Sequence, residues 1–165
     1  MLATVVLTGG LLSLVAIYTQ GVLLMSASQM DVIAKQKATE AIESVFSARD
    51  TRVLTWALIR NVSNGGIFLN GPQALYTECT TNPTNDGIAN TADDAACPQD
   101  SIVDPGPDGM LATGDDQVMT LSSFTREVEI TDVAPNLRRV RVIVRYRASH
   151  MQRQYVLTTF FSSFA

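Results

Sequence analysis

Two hydrophobic periodicities divide the chain. Met1 to Met30 contains no charged side chain. From Gln29 to Arg60 the apolar positions Ile33, Ala38, Ile42, Val45/Phe46, Val53, Trp56/Ala57 and Ile59 recur at three- and four-residue steps, while Lys35, Lys37, Glu40, Glu43, Arg49 and Asp50 fill the opposite side. That is the spacing of an amphipathic helix. Neither Pro nor Gly falls between Gln29 and Arg60, so the pattern predicts one helix from Met1 to about Arg60, roughly 90 Å long at 1.5 Å per residue. The run Asn61-Val62-Ser63-Asn64-Gly65-Gly66 gathers residues that favour turns and left-handed caps, and is the expected terminator.

At the other end the period is two. Phe124 to Val133 sets Phe124, Arg126, Val128 and Ile130 against Thr125, Glu127, Glu129 and Thr131. Leu137 to Arg147 sets Val140, Val142, Val144 and Tyr146 against Arg139, Arg141, Ile143, Arg145 and Arg147, and Gln152 to Phe161 is a third run. Alternation of this kind predicts half-buried strands, and the short connections predict an antiparallel meander. Glu127 and Glu129 are placed to face arginines of the next strand, pairs worth about 0.2–1 kcal/mol each. A salt-bridged, solvated face is the preferred reading of the arginine row over an anion-binding surface. The apolar side needs a cover, and the helix from Gln29 to Arg60 is the segment long enough to supply it. The expected fold class is therefore α+β: a long N-terminal helix packed on a small antiparallel β-sheet, with a disulfide-bearing acidic loop region between. The divisions are 1–28 for an apolar transmembrane or filament-core helix, 29–60 for its amphipathic half and 61–165 for a globular head, with the acidic loops at 67–116 and the sheet at 124–161.

Between helix and sheet the periodicity fades. Ile67 to Tyr76 carries only a weak strand or turn pattern around Asn70-Gly71-Pro72, and then the sequence repeats itself. NPTNDGIANTADD at 82–94 and DPGPDGMLATGDD at 104–116 align without gaps at an offset of 22 residues, matching Asn82/Asp104, Pro83/Pro105, Asp86/Asp108, Gly87/Gly109, Thr91/Thr113, Asp93/Asp115 and Asp94/Asp116. Calcium takes six to eight oxygen ligands on loops flexible enough to wrap it. Asp86, Asp93, Asp94, Asp104, Asp108, Asp115 and Asp116 are thus the candidate calcium ligands, the second copy being the richer in carboxylates. The motif resembles the aspartate-glycine loops of bacterial extracellular calcium-binding segments. It lacks the alternating acids and terminal Glu of an EF-hand. The alternative is a pair of solvated Asp-Gly turns.

Charge sharpens this division. The net charge is -4; nine acids and no Lys or Arg lie between Tyr76 and Asp116, while seven Arg lie beyond Gln117. That balance excludes a general nucleic-acid partner, which requires a basic face. Cys79 and Cys97 lie in the polar middle and are expected to pair in an oxidising compartment, closing a loop around the first copy for about 3 kcal/mol in the chain-entropy model. Two unrelated reduced thiols are the other reading.

A hydrocarbon core about 30 Å thick needs about 20 apolar residues, and Met1 to Met25 supplies them. Val5, Leu7, Leu11, Leu12, Leu14, Val15 and Ile17 are its candidate membrane or filament contacts. A signal peptide cut near Ser26-Ala27-Ser28 is the competing reading, but the basic n-region is missing and the apolar run is long. Catalytic chemistry is scarce: one His, His150, and no zinc, nucleophile or phosphate-loop motif. No enzyme is expected.

The order of apolar helix, amphipathic continuation, disulfide-bearing loops and antiparallel sheet resembles the type IV pilin superfamily of pilins, minor pilins and type II secretion pseudopilins. MLATVVLTGGLLSLVAIYTQGVLLMSASQMDVIAKQKATEAIESV is similar to the segment after that family's cleavage site, and LRRVRVIVRYR with QRQYVLTTF to the closing strands of its pilus-modification subgroup. The acidic repeat lies outside the resemblance. The family's Gly-Phe-Thr-Leu-Ile-Glu-type peptide does not precede Met1 here, and the expectation is that it is encoded upstream. The resemblance implies a structural subunit of a type IV pilus or a type II secretion pseudopilus. Such a subunit is held in the bacterial inner membrane facing the periplasm, then packed with other pilin subunits into a filament. The alternative is a membrane-anchored, calcium-dependent adhesive or sensory domain that never polymerises. A secreted hydrolase is a third reading.

Overall fold

Helix-compatible residues run without a break through α1, Leu2–Asp50, in a computed structural model that describes residues 2–77, 85–148 and 151–164. At 1.5 Å per residue α1 is about 74 Å long, and it is long and apolar enough to cross a membrane. It ends at Asp50, not at Arg60. The reason is local: Arg52 adopts a left-handed φ of 61°, its N–H donates to the Arg49 carbonyl (3.0 Å), and the Leu54 N–H donates to the Ala48 carbonyl (2.9 Å). These bonds satisfy helix-end carbonyls in the manner of a Schellman turn. They also turn the chain so that Leu54 and Ile59 enter the core from outside the helix. Trp56–Leu58 is a 3-10 turn, so Val53, Trp56 and Ile59 keep helical spacing without belonging to the helix.

Four strands form the main sheet: β1 Gln73–Ala74, β4 Thr125–Ala134, β5 Leu137–Ala148 and β6 Met151–Ser162, all antiparallel neighbours in the order β1-β4-β5-β6. The three predicted strands are present within about a residue at each end. A separate hairpin, β2 Ser101–Asp104 with β3 Gln117–Thr120, was not expected; four-residue strands flanking a polar turn carry too little alternation to read. Cross-strand pairs hold the outer face, Glu129 to Arg141 at 2.8 Å and Glu127 to Arg145 at 2.7 Å. Ile143 is buried between its register partners Glu127 and Val156.

Val128, Ile130, Val140, Val142, Val144 and Tyr146 form the buried face, and the second half of α1 covers it. The helix contributes Ala27, Ala34, Ala41 and Ala48, seven residues apart, with Ala38 and Val45 beside them. Residues seven apart lie nearly in line on a helix, and with small side chains they seat its backbone close to the strands. Ile33 and Ile42 flank this seam. At its upper end Phe46 meets Phe161 with ring centroids 4.0 Å apart. At its lower end the Tyr146 hydroxyl donates to Asp31 (2.5 Å), which also pairs with Arg153 (3.1 Å). Burial and that hydrogen bond push the Tyr146 hydroxyl up to about 12, so it remains a donor.

Where β4 lacks a neighbour beyond β1, one side chain replaces a strand. Asn61 is buried; its Nδ2 donates to the Val128 carbonyl (2.7 Å) and its Oδ1 accepts from the Ile130 N–H (2.8 Å). Gly66 is needed beside it, because a Cβ there would lie 2.0 Å from the Arg60 carbonyl oxygen.

Arg138, fully buried on β5, ties the post-helix turn to the sheet. Its Nε donates to Asp132 (2.6 Å), its Nη1 to the carbonyls of Trp56 and Ile59, and its guanidinium lies 4.1 Å from the Trp56 ring centroid. Asp132 also accepts from Arg60 (2.9 Å). The bonds from Arg138, then Arg60, hold the Asp132 carboxyl below its ordinary 3.8. A depressed folded value stabilises the fold above the unfolded value, and the gain is lost as pH falls through the folded one. Asp132→Asn is therefore expected to lower stability by about 1–2 kcal/mol at neutral pH. In detergent melts the gap from the native chain should close as pH drops below 3.8; a pH-independent gap would contradict the ion pair.

Candidate functional site

The acidic repeat folds as one turn made twice. In the first copy the Asp86 N–H donates to Asp93 (2.8 Å), the Ile88 N–H to Asp86 (2.8 Å), and the Asn90 and Thr91 N–H groups to Asp94 (2.6 and 3.2 Å); the Thr91 hydroxyl donates to Asp93 (2.6 Å). Twenty-two residues on, the Asp108 N–H donates to Asp115 (3.4 Å), the Met110 N–H to Asp108 (2.8 Å), and the Ala112 and Thr113 N–H groups to Asp116 (2.7 and 3.2 Å); the Thr113 hydroxyl donates to Asp115 (2.7 Å). Left-handed residues match as well, Gly87 with Gly109 and Asn90 with Ala112. The Asp and Thr identities shared by the two copies at 86/108, 91/113, 93/115 and 94/116 are the side chains that make these bonds. Each Asp caps backbone donors, and each Thr bridges from its own turn to the acid pair.

Six of the seven candidate ligands therefore fall in the two turns, Asp86, Asp93 and Asp94 in one and Asp108, Asp115 and Asp116 in the other. Asp104 stands at the end of β2, where it accepts from the Gly106 N–H (3.2 Å). Among the described residues no three His, Cys, Asp or Glu side chains converge as a metal cage. Burial pushes Asp86 and Asp94 above the ordinary carboxylate value despite their backbone bonds, whereas the Thr113 hydroxyl leads the groups that hold exposed Asp115 below it. Cys97 is buried and is not a free thiol, and its Sγ accepts from Asn85 (3.3 Å). Cys79, Asn82, Pro83 and His150 lie outside the described residues.

The two copies differ in what they touch. In the first, Ile88 is buried in the core, Ala89 packs against it, and the Ala89 N–H donates to Ser44 on α1 (3.3 Å). Asn90 exchanges bonds with Arg126, its Nδ2 donating to the Arg126 carbonyl (3.1 Å) and its Oδ1 accepting from Arg126 Nε (2.9 Å). Arg126 sits 3.7 Å from Glu40, and Lys37 bridges Glu40 (2.7 Å) and Asp100 (2.5 Å). Burial pulls Lys37 down, but its bonds to Asp100 and Glu40 outweigh that and leave it raised. In the second copy the corresponding Met110, Leu111 and Ala112 are exposed. The buried Lys37–Asp100–Glu40–Arg126–Asn90 network was not anticipated. Its one legible signal was an arginine, Arg126, on the apolar face of a strand.

Leu7, Leu11, Leu12, Leu14, Val15 and Ile17 are all exposed on the first half of α1. Val5 belongs to the same helix, its side chain outside the described residues. No protein-family model, curated protein or solved structure matches the chain.

The docked and undocked turns should respond unequally to the same change. Ile88→Asp buries an unpaired charge and is expected to lower stability by about 3 kcal/mol or more. Met110→Asp, its repeat mate, should stay within about 0.5 kcal/mol of the native chain. Denaturant titration in detergent measures both, and equal losses would show that both turns are docked.

Proposed function

We propose that the chain is a structural subunit, of minor pilin or pseudopilin type, of a type IV pilus or type II secretion pseudopilus, assembling through the apolar half of α1. The observation that carries the reading is the division of one helix. Its first half exposes apolar side chains with no charge among them, and its second half buries one face on an antiparallel sheet. Exposed apolar surface of this extent needs lipid or other copies of itself. The membrane serves before assembly and neighbouring subunits after it. The strand residues and the helix quoted for the resemblance support the family; the acidic turns are an addition to it.

Single cysteines at Leu7, Leu11 or Leu14, oxidised in membranes of the producing cell, should give ladders of cross-linked multimers. Monomers alone would favour the anchored, non-polymerising adhesive or sensory domain.

Calcium is proposed to stabilise the acidic turns, with Cys79 paired to Cys97 across the first of them. An ionised carboxylate has about four acceptor positions, so backbone capping leaves oxygens for a cation. The raised values of Asp86 and Asp94 mean that the fold loses stability as pH rises through them, and a bound cation would offset that loss at neutral pH. At one hundred times its dissociation constant calcium adds about 2.7 kcal/mol, a shift of several degrees at this size. Thermal melts of the full chain in detergent should show that rise at millimolar calcium and its reversal by chelator. An unchanged midpoint would overturn the calcium assignment.

A further inference from the structure

We propose that Met110 and Leu111, at the tip of the β2–β3 hairpin, dip into the lipid surface that α1 crosses, as a second contact between head and membrane. The inference rests on the anchored reading of α1 above.

The repeat supplies the first argument. Met110 and Leu111 occupy the places of Ile88 and Ala89 in a turn with the same backbone bonds. In the first copy that pair is docked on the core, with Ile88 2% exposed; in the second it faces outward, Met110 and Leu111 being 64% and 66% exposed. The turn is a device for presenting two apolar side chains, and the second copy presents them to nothing in the described chain.

Position supplies the second. Asp100 is fixed to Lys37 by an ion pair of 2.5 Å, so β2 starts level with that helical residue. Four strand residues cover about 13 Å, the rise of about nine helical residues, which brings Asp104 level with about Ser28. The groove of about 670 Å³ between α1 and the hairpin agrees, for Ser28, Gln29 and Met30 line it together with Asp104 and Gln117. Only the turn 105–116 lies beyond. Its tip is thus level with the uncharged stretch of α1 before Asp31, where the helix would enter lipid. Met151, at the start of β6 and two residues from the Arg153 that pairs with Asp31, is exposed at the same end of the head.

Area and charge choose the occupant. Two side chains cannot bury the roughly 1,200 Å² of a specific stable protein interface, but they suffice as an added contact for a chain already anchored. The neighbouring carboxylates are turned onto their own backbone, Asp108 onto the Met110 N–H and Asp116 onto Ala112 and Thr113. They leave the apolar tip clear for a zwitterionic surface.

The test uses the full chain in phosphatidylcholine vesicles containing lipid brominated high on its acyl chains. The single native tryptophan, Trp56, lies beside Pro135 at the opposite end of β5, so its emission is the unquenched baseline. Leu111→Trp, with Met110→Trp as a second variant, should add blue-shifted emission that bromine lowers at least twofold. Leu12→Trp reports anchoring separately. Quenching at position 12 without quenching at 110 or 111 would overturn the lipid contact and leave the anchored reading standing, and quenching at none of them would overturn both. A blue shift at 110 or 111 that bromine does not lower would mean burial against a second copy, and would also overturn the proposal.

Discussion

Everything above the membrane-length segment depends on how closely α1 seats on the sheet. Alanines at 27, 34, 41 and 48 line the contact, and a larger residue at any of them would lift the helix from strands whose own side chains, mostly valines, are short. Close seating has two consequences. It brings Phe46 onto Phe161 and Tyr146 onto Asp31, so both ends of the seam are fixed by larger groups. It also brings the flanks of the helix within reach of the loops, which is how Lys37 and Glu40 come to meet Asp100 and Arg126.

Of these charges Asp100 and Arg126 are buried, as Arg138 is elsewhere, and burial of an ion is unfavourable unless partners replace its water. Here each buried arginine is placed where it can bind backbone as well as carboxylate. Arg138 holds the carbonyls of Trp56 and Ile59, and Arg126 holds Asn90 and the Lys37 carbonyl. Both carry one irregular segment onto one strand. The loops have too few apolar residues to pack by burial alone, so directional polar bonds do what a core would otherwise do. Asn61 follows the same logic in giving β4 two backbone-like bonds where no strand lies.

This division explains what was legible in the sequence. Alternation along β4, β5 and β6 is a direct image of a one-sided sheet, and the uncharged start of α1 is an image of a helix segment long and apolar enough to cross a membrane. The repeat was legible too, because the Asp, Gly and Thr it conserves between copies are the residues that build the turn. The helix end was not: Arg52 takes a left-handed φ that its type disfavours, while the more evident stop signal lies beyond it at Asn61 to Gly66. The buried face of the helix was legible at Ile33, Ala38, Ile42 and Val45, all of them buried, but not at Ala27, Ala34, Ala41 and Ala48, since alanines carry little hydrophobic signal individually. Network members such as Lys37 were read as solvent-facing because a lone lysine on a helix gives no sign of a distant Asp100.

The two acidic turns show how one sequence unit acquires different roles. Asp caps and left-handed residues fix the backbone in both, so the fold of the turn does not depend on docking. Among the differences that separate them is the residue at the left-handed position, with its surroundings. Asn90 tolerates the left-handed conformation and binds Arg126 through both amide atoms, whereas Ala112, at the same place and φ, has nothing to offer a partner. The first turn is drawn into the seam, where it closes the core over Ile88. The second, carried outward on a two-stranded hairpin that lines a groove with the helix, keeps its two apolar residues in the open. The same turn that completes the head in one copy leaves, in the other, Met110 and Leu111 exposed.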